Sequence, residues 1–278
     1  MSPLVWVFVS SVAWVGADVL RKRLAGPIGA APLGALLSLG SILIFGPWWM
    51  ITGGTLDAAY AVPAALSLVA NIAATLLLIH ALHRGELGVV VPLLALTPVL
   101  SALGDWLLGG AAPGPRQAVG IGLVVGGALL LQLHGRRIRM DLAAWMAVAV
   151  AVLYSMTAVL DAVALRHSPA PLHGLLQSVG MGLGLALLSW SRGQGNRLVP
   201  PPGTRLLVLA AVGVFVVGYG AQLVALEQVS VSLHETVKRA IGMLGALVVG
   251  TVGFRERPSL QRVGAVFGML VGVSMVLL

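Results

Sequence analysis

The sequence predicts an all-α membrane protein in which ten transmembrane helices form two inverted five-helix repeats around a central cavity. Three observations carry this reading. The 278 residues are 58% hydrophobic and only 9% charged, with a mean hydropathy of +1.00, whereas about a quarter of residues are charged in soluble domains. Ten apolar runs have the length a helix needs to cross a hydrocarbon core about 30 Å thick, roughly 20 residues each. The second five runs repeat the rhythm of the first five.

The runs are Pro3 to Leu20, Ala30 to Ile51, Ala58 to Leu82, Leu87 to Leu108 and Ala118 to Leu133, then Leu142 to Leu165, Pro171 to Trp190, Leu206 to Leu226, Ser230 to Gly253 and Leu260 to Leu278. They divide into a first repeat over 1–134 and a second over 142–278, joined by HGRRIRMD. At an offset of 144 residues Ala81 falls on Ala225, Leu82 on Leu226, Gly109 on Gly253, Gln117 on Gln261 and Gly120 on Gly264. Each half holds an odd number of helices, so two copies in one chain insert with opposite orientation. Inverted repeats of this kind build secondary transporters, with the substrate near the midplane between the halves.

The formal net charge of +8 does not point to nucleic acid, because the basic residues lie in short turns. The turns after the odd-numbered runs hold 13 of the 17 Lys and Arg, and the even turns with both ends hold 2. By the positive-inside rule the odd turns, including Arg21, Lys22 and Arg23, face the cytoplasm and both termini face out. That basic cluster follows the first apolar run, whereas a cleavable signal peptide would place it before. With no cysteine, neither a disulfide framework nor a thiolate metal site is available.

The remaining two basic residues are Lys238 and Arg239, within the ninth run and close to Glu235. A charge near a helix centre costs about 2.5–3.5 kcal/mol on insertion scales, so three together need partners or a wet cavity. Spacings of three and four residues let Glu235 pair with Lys238 or Arg239. Either the group is a self-neutralised pair, or one cation stays free to bind an anion. In the first run Trp14 and Asp18 share a face, and in the sixth Tyr154 and Asp161 take a comparable place. The two aspartates are candidates for proton coupling, or else groups near helix ends beside Arg21 and Arg166. Asn71, Thr75, Thr97, Tyr219 and Gln222 are candidate lining residues that interhelical hydrogen bonding would equally explain. Pro92 and Pro98 are expected to kink the fourth helix. His80, His173 and Gln177 show no convergent partners and read as packing residues, and Asp105 beside Trp106 as an interface residue.

His234 and Glu235 begin a sequence like the HExxH zinc motif, but Lys238 replaces its second histidine. No GxSxG elbow, P-loop or aspartate-rich prenyl motif is present. The expectation is a protein that is not an enzyme, needs no cofactor or metal, and draws its energy from a gradient or from exchange.

VAWVGADVLRKRL in the first helix, LTPVLSALGDWLLGGAAPGPRQAVGIGLVVGGALLL across four and five, and KRAIGMLGALVVGTVGFRERPSLQRVGAVFGMLVGVSMVLL across nine and ten resemble the drug/metabolite transporter superfamily, in its ten-helix form of two EamA-like repeats. The resemblance covers essentially the whole chain. It implies a cavity lined by helices one, three, four, six, eight and nine, with five and ten as a scaffold behind. The glycines 264, 268 and 272, and 122 and 126, are spaced for close helix packing within or between protomers, the latter as a homodimer. Lys238 and Arg239 match a pair that grips substrate phosphate in the phosphate and nucleotide-sugar branches, although Glu235 stands where those branches have a neutral residue. Ala111 and Ala112 replace a Gly-Glu element that the second repeat keeps as Arg255, Glu256 and Arg257. The resemblance also implies cytoplasmic termini, opposite to the charge pattern.

The expected protein is a transporter of a small polar, anionic or zwitterionic metabolite in a bacterial inner membrane. Lys238 and Arg239 would hold its negative group, positioned by Glu235. Trp14, Tyr154 and Tyr219 would contact its less polar part, with Gln222, Asn71 and Thr97 beside them. The rival readings are an exporter of cationic or amphipathic compounds that uses Asp18, Asp161 and Glu235, a flippase for a phosphorylated lipid headgroup, and a non-transporting membrane scaffold.

Overall fold

The computed structural model describes residues 2–100, 114–131, 133–134, 137–138, 140–229, 231–256 and 259–277. Among them ten α-helices follow in chain order: α1 Pro3–Ile28, α2 Ala30–Thr52, α3 Ala61–Arg84, α4 Leu87–Leu93, α5 Pro115–Leu131, α6 Leu142–Ala164, α7 Ala170–Ser191, α8 Arg205–Leu226, α9 Val231–Gly253 and α10 Leu260–Leu277. Seven of the helical segments are long and apolar enough to cross a membrane, and three are shorter apolar helices. A two-residue antiparallel pairing, β1 Leu133–His134 with β2 Arg137–Ile138, lies in the connection between the halves. Asp105, Trp106, Ala111, Ala112 and Arg257 lie outside the described residues.

The first helix runs past its expected end at Leu20 to Ile28. Hydropathy marks where a helix leaves the apolar layer, not where its hydrogen bonds stop. Arg21, Lys22, Arg23, Leu24 and Ala25 all favour helix. The stop is Gly29, whose φ of 92° suits glycine best. The fourth helix breaks at Leu94 and Ala95 and resumes over 96–100. Pro98 has no N–H to offer the Leu94 carbonyl, which instead accepts from Thr97 N at 3.0 Å. Before α3, Asp57 caps a 3-10 turn over Ala58–Tyr60 by accepting from Ala59 N at 3.2 Å.

Helix packing follows one rule. α2 packs chiefly on α7, α5 on α10, α1 on α8 and α9, α3 on α6, and α4 on α9 and α6. Replacing each helix by the one five places along returns this set of pairs, while the packing of α1 on α3 has no counterpart of similar extent. Two apolar cores flank the middle of the molecule. One joins α3, α4, α5, α6, α9 and α10 through residues such as Leu82, Val90, Val124, Ala147, Met243 and Met269. The other joins α1, α2, α3, α7 and α8 through Leu24, Leu33, Phe45, Ile79, Ala170 and Leu223. The outside is apolar, with Leu43, Met50, Ile51, Val62, Leu206, Val252 and Leu260 all strongly exposed. On a water-soluble surface such coverage would be a liability; against lipid it is a solvent match.

The glycine pattern divides. A Cβ at Gly272 would come within 2.6 Å of Gly120 O, so this glycine is required where α10 meets α5. Gly122, Gly126, Gly264 and Gly268 have nothing within 4 Å of such an atom among the described residues, so their spacing meets no close packing there.

Candidate functional site

Between the two cores lies a cavity of about 80 Å³, room for several water molecules. Its lining comes from α1, α2, α3, α4 with the turn after it, α6, α7, α8 and α9, and none of it from α5 or α10. Four helices present the same one-face spacing of i, i+4 and i+7: Trp14, Asp18 and Arg21; Asn71, Thr75 and Leu78; Tyr154, Ala158 and Asp161; Phe215, Tyr219 and Gln222. On α9 Glu235, Lys238, Arg239 and Gly242 share a face in the same way.

These positions also pair between the halves. Trp14 and Tyr154, Arg21 and Asp161, and Ser38 and Ser178 stand 140 residues apart. Asn71 and Phe215, Thr75 and Tyr219, Leu78 and Gln222, Val91 and Glu235, and Leu94 and Lys238 stand 144 apart. The lining is therefore one pattern used twice, with its chemistry changed in between. Arg21 and Asp161 carry opposite charge at corresponding places.

Glu235 sits at the centre of the α9 wall. One carboxylate oxygen pairs with Lys238 Nζ, and the other accepts from Arg239 Nη2 at 3.1 Å. Lys238 also donates to Gln222 Oε1 at 3.2 Å, an oxygen that accepts from Trp14 Nε1 at 2.9 Å. Arg239 lies over the Tyr154 ring at 5.5 Å, and its Nε has no partner among the described residues. Neither cation is thus free in the sense of being unpaired, but one carboxylate is shared between two cations.

Adjacency to Lys22 and Arg23 makes Arg21 read as a topology signal, and the structure corrects that reading. Its side chain is only 3% exposed, pairs with Asp18 Oδ1 at 3.1 Å and lies over Trp14 and Phe215 at 5.1 and 5.4 Å. The available signal was its place three residues beyond Asp18, continuing the face of Trp14. Lys22 is engaged by the protein as well, through Gly85 O and Glu256.

Of the two readings of Asp161, the one that set it at a helix end beside Arg166, which is exposed, does not match its contacts. It accepts from the Ser67 hydroxyl, which in turn accepts from Asn71 Nδ2 at 3.1 Å. His173 Nε2 lies 3.4 Å from its Oδ1, and His173 Nδ1 is 3.1 Å from the Tyr60 hydroxyl. The described residues give Asp161 no Lys or Arg ion pair. His173 therefore lies beside the cavity carboxylate, without a hydrogen bond to it; its contacts join α7, α6 and the turn before α3, which no local spacing reveals. Gln177 donates to Ala64 O at 2.9 Å and does stitch helices, and His80 stays with the Leu76 carbonyl of its own helix at 2.8 Å. Thr97 is fully buried and is not among the cavity residues. Ser38, Thr157, Ser178, Met181 and Phe215 join the lining without having been singled out in the sequence. The described residues contain no cluster of three metal-ligating side chains.

A model of the EamA-like transporter family matches residues 1–133 and again 141–278. No curated protein matches. A solved structure, described only as the crystal structure of a protein, shares 17% identity with a TM-score of 0.68, over 99% of this chain and 96% of its own; at that identity it supports the fold alone.

Proposed function

The chain belongs to the EamA-like transporter family, and on that premise we propose that it is a secondary transporter carrying a small anionic or zwitterionic metabolite by alternating access. The moving parts are two inverted five-helix repeats. Support for them comes from the helix pairs that survive exchange of the halves and from lining residues that recur 140 or 144 places later.

The observation that carries the substrate reading is the charge on the wall formed by α1 and α9. Three cations, Arg21, Lys238 and Arg239, face two carboxylates, Asp18 and Glu235. One positive charge is left over where burial makes it expensive, and an anionic group of a substrate offsets it. Asp161, on the α6 wall, supplies the opposite pole for an ammonium group. Trp14, Tyr154, Phe215 and Tyr219 offer aromatic surface to the part between. Asp18 holds Arg21 in place. Asp161, with Ser67, His173 and Tyr60 behind it, is the stronger candidate for carrying a coupling proton. The protein would sit in a bacterial cytoplasmic membrane with its basic turns inward.

The test is uptake into proteoliposomes by Lys238→Ala and Glu235→Gln in parallel. An anion carrier loses most on the first change, because the charge that meets the substrate is gone. A second reading, export of cationic amphipathic compounds, is favoured by one observation, that Asp161 lines the same cavity as Trp14, Tyr154, Phe215 and Tyr219. It reverses the result: Lys238→Ala is tolerated, and Asp161→Asn abolishes flux.

A further inference from the structure

We propose that Lys22 and Glu256 form a charge latch that closes one mouth of the cavity and must part for that mouth to open. This rests on the alternating-access reading above.

Glu256 belongs to the second half of the chain, yet every polar side-chain contact recorded for it is made with the first. Its Oε1 accepts from Leu87 N at 2.7 Å and from Lys22 Nζ at 3.0 Å, and its Oε2 accepts from Gly88 N at 2.9 Å. Lys22 completes the ring by donating to Gly85 O at 2.7 Å, and it lies over the Phe254 ring at 5.1 Å. One carboxylate thereby ties the end of α1, the start of α4 and the hairpin after α9. Lys22 is 15% and Glu256 10% exposed, so these bonds are only weakly screened by water.

The backbone is bent to present the carboxylate. Arg255 adopts a φ of 55°, the left-handed region that a side chain makes costly. Glu256 N then returns to Gly250 O at 2.9 Å. A Cβ at Gly250 would come within 2.5 Å of Glu256 Oε2, so a side chain there would displace the carboxylate. Backbone strain of this kind persists where the surroundings over-determine it and clusters at switch regions.

The place is the cavity's end. Arg21, next to Lys22, lines the cavity, and Val91, three residues beyond Gly88, lines it from α4. At 1.5 Å per residue that is about 5 Å along the helix. The device is also one-sided. Counting 140 residues on from Lys22 reaches Ala162, and 144 back from Glu256 reaches Ala112, so the pattern used twice in the cavity is used once here. At the opposite face the halves meet through Asp57 and His167, an exposed pair at 3.1 Å. An opening at the latched mouth must break several charged hydrogen bonds at once, whereas the further contacts between the halves toward the other end, Tyr60 with His173 and Gln177 with the Ala64 carbonyl, involve no Lys or Arg.

The chain has no cysteine, so a spin-label pair at Arg84→Cys and Ser259→Cys, both exposed and one in each half, reports the separation across this mouth in nanodiscs. The native latch gives one dominant short distance. Glu256→Gln and Lys22→Met each raise the ratio of the longer to the shorter separation about tenfold, the weight of one charge-assisted hydrogen bond. The double variant adds little to either single change, because both break the same contact. Melting temperature and gel-filtration profile establish that each variant is folded, and Lys22→Met leaves the Leu87 and Gly88 bonds intact should Glu256→Gln fail. No substrate is needed, so a wrong substrate class would not affect the result. Unchanged distances in both single variants, or strictly additive effects in the double, overturn the proposal.

Discussion

Arg21 and Asp18 bond across one turn of α1 at 3.1 Å, with the guanidinium against the faces of Trp14 and Phe215. Removing one partner of a buried pair leaves the other charge unpaired, at about 3–5 kcal/mol, whereas removing both costs much less. Arg21→Gln and Asp18→Asn should each lower stability on that scale. The double variant should recover most of the loss, read from denaturant unfolding in detergent. Strict additivity would mean that the two charges do not depend on each other.

How much of this was legible in the sequence can be read from the same helix. Trp14 and Asp18 stood out because polar groups in an apolar run must be accounted for. Arg21 did not, because three adjacent basic residues after a run look like a membrane-edge signal. The backbone obeyed helix propensity and carried Arg21 one turn further around the cavity face. Helix order and the α9 cluster were readable for the same reason: periodicity and charge in apolar surroundings are local facts, whereas the place of α5 and α10 behind the cavity was implied only by the family resemblance. His173 beside Asp161 and Glu256 on Leu87 and Gly88 were not, since each is a contact between distant parts of the chain. The glycines misled in part. Spacing by four is shared by Gly272, which meets the Gly120 carbonyl, and by Gly264 and Gly268, which meet nothing among the described residues.

That division makes a prediction. Gly272→Ala overpacks the contact of α5 with α10 and should cost about 1–3 kcal/mol. Gly264→Ala and Gly122→Ala should stay within about 0.5 kcal/mol of the parent. Melting temperatures in detergent separate the two outcomes, and equal losses at Gly264 and Gly272 would refute the assignment.

The loop before α3 has a pH signature. The Ala59 N–H and then His167 hold the Asp57 carboxyl below the ordinary aspartate value of 3.8. A carboxylate depressed on folding contributes stability that is fully present above its unfolded value and is lost as pH falls through its folded one. The melting temperature of the wild type should therefore exceed that of Asp57→Ala at pH 6 and approach it as the pH falls below about 4. A gap that stays constant over this range would contradict the capping role.

The central claim is that the α1–α9 wall of the cavity keeps one positive charge more than its own carboxylates match, for an anionic group that visits it. The most direct measurement is thermal stabilisation of the purified protein by phosphorylated metabolites, amino acids and quaternary amines, since a ligand that binds only the folded state raises its stability. The account predicts that compounds with a phosphate or carboxylate raise the melting temperature and that Lys238→Ala removes the effect. Stabilisation by quaternary amines alone, unchanged by Lys238→Ala and abolished by Asp161→Asn, would contradict it.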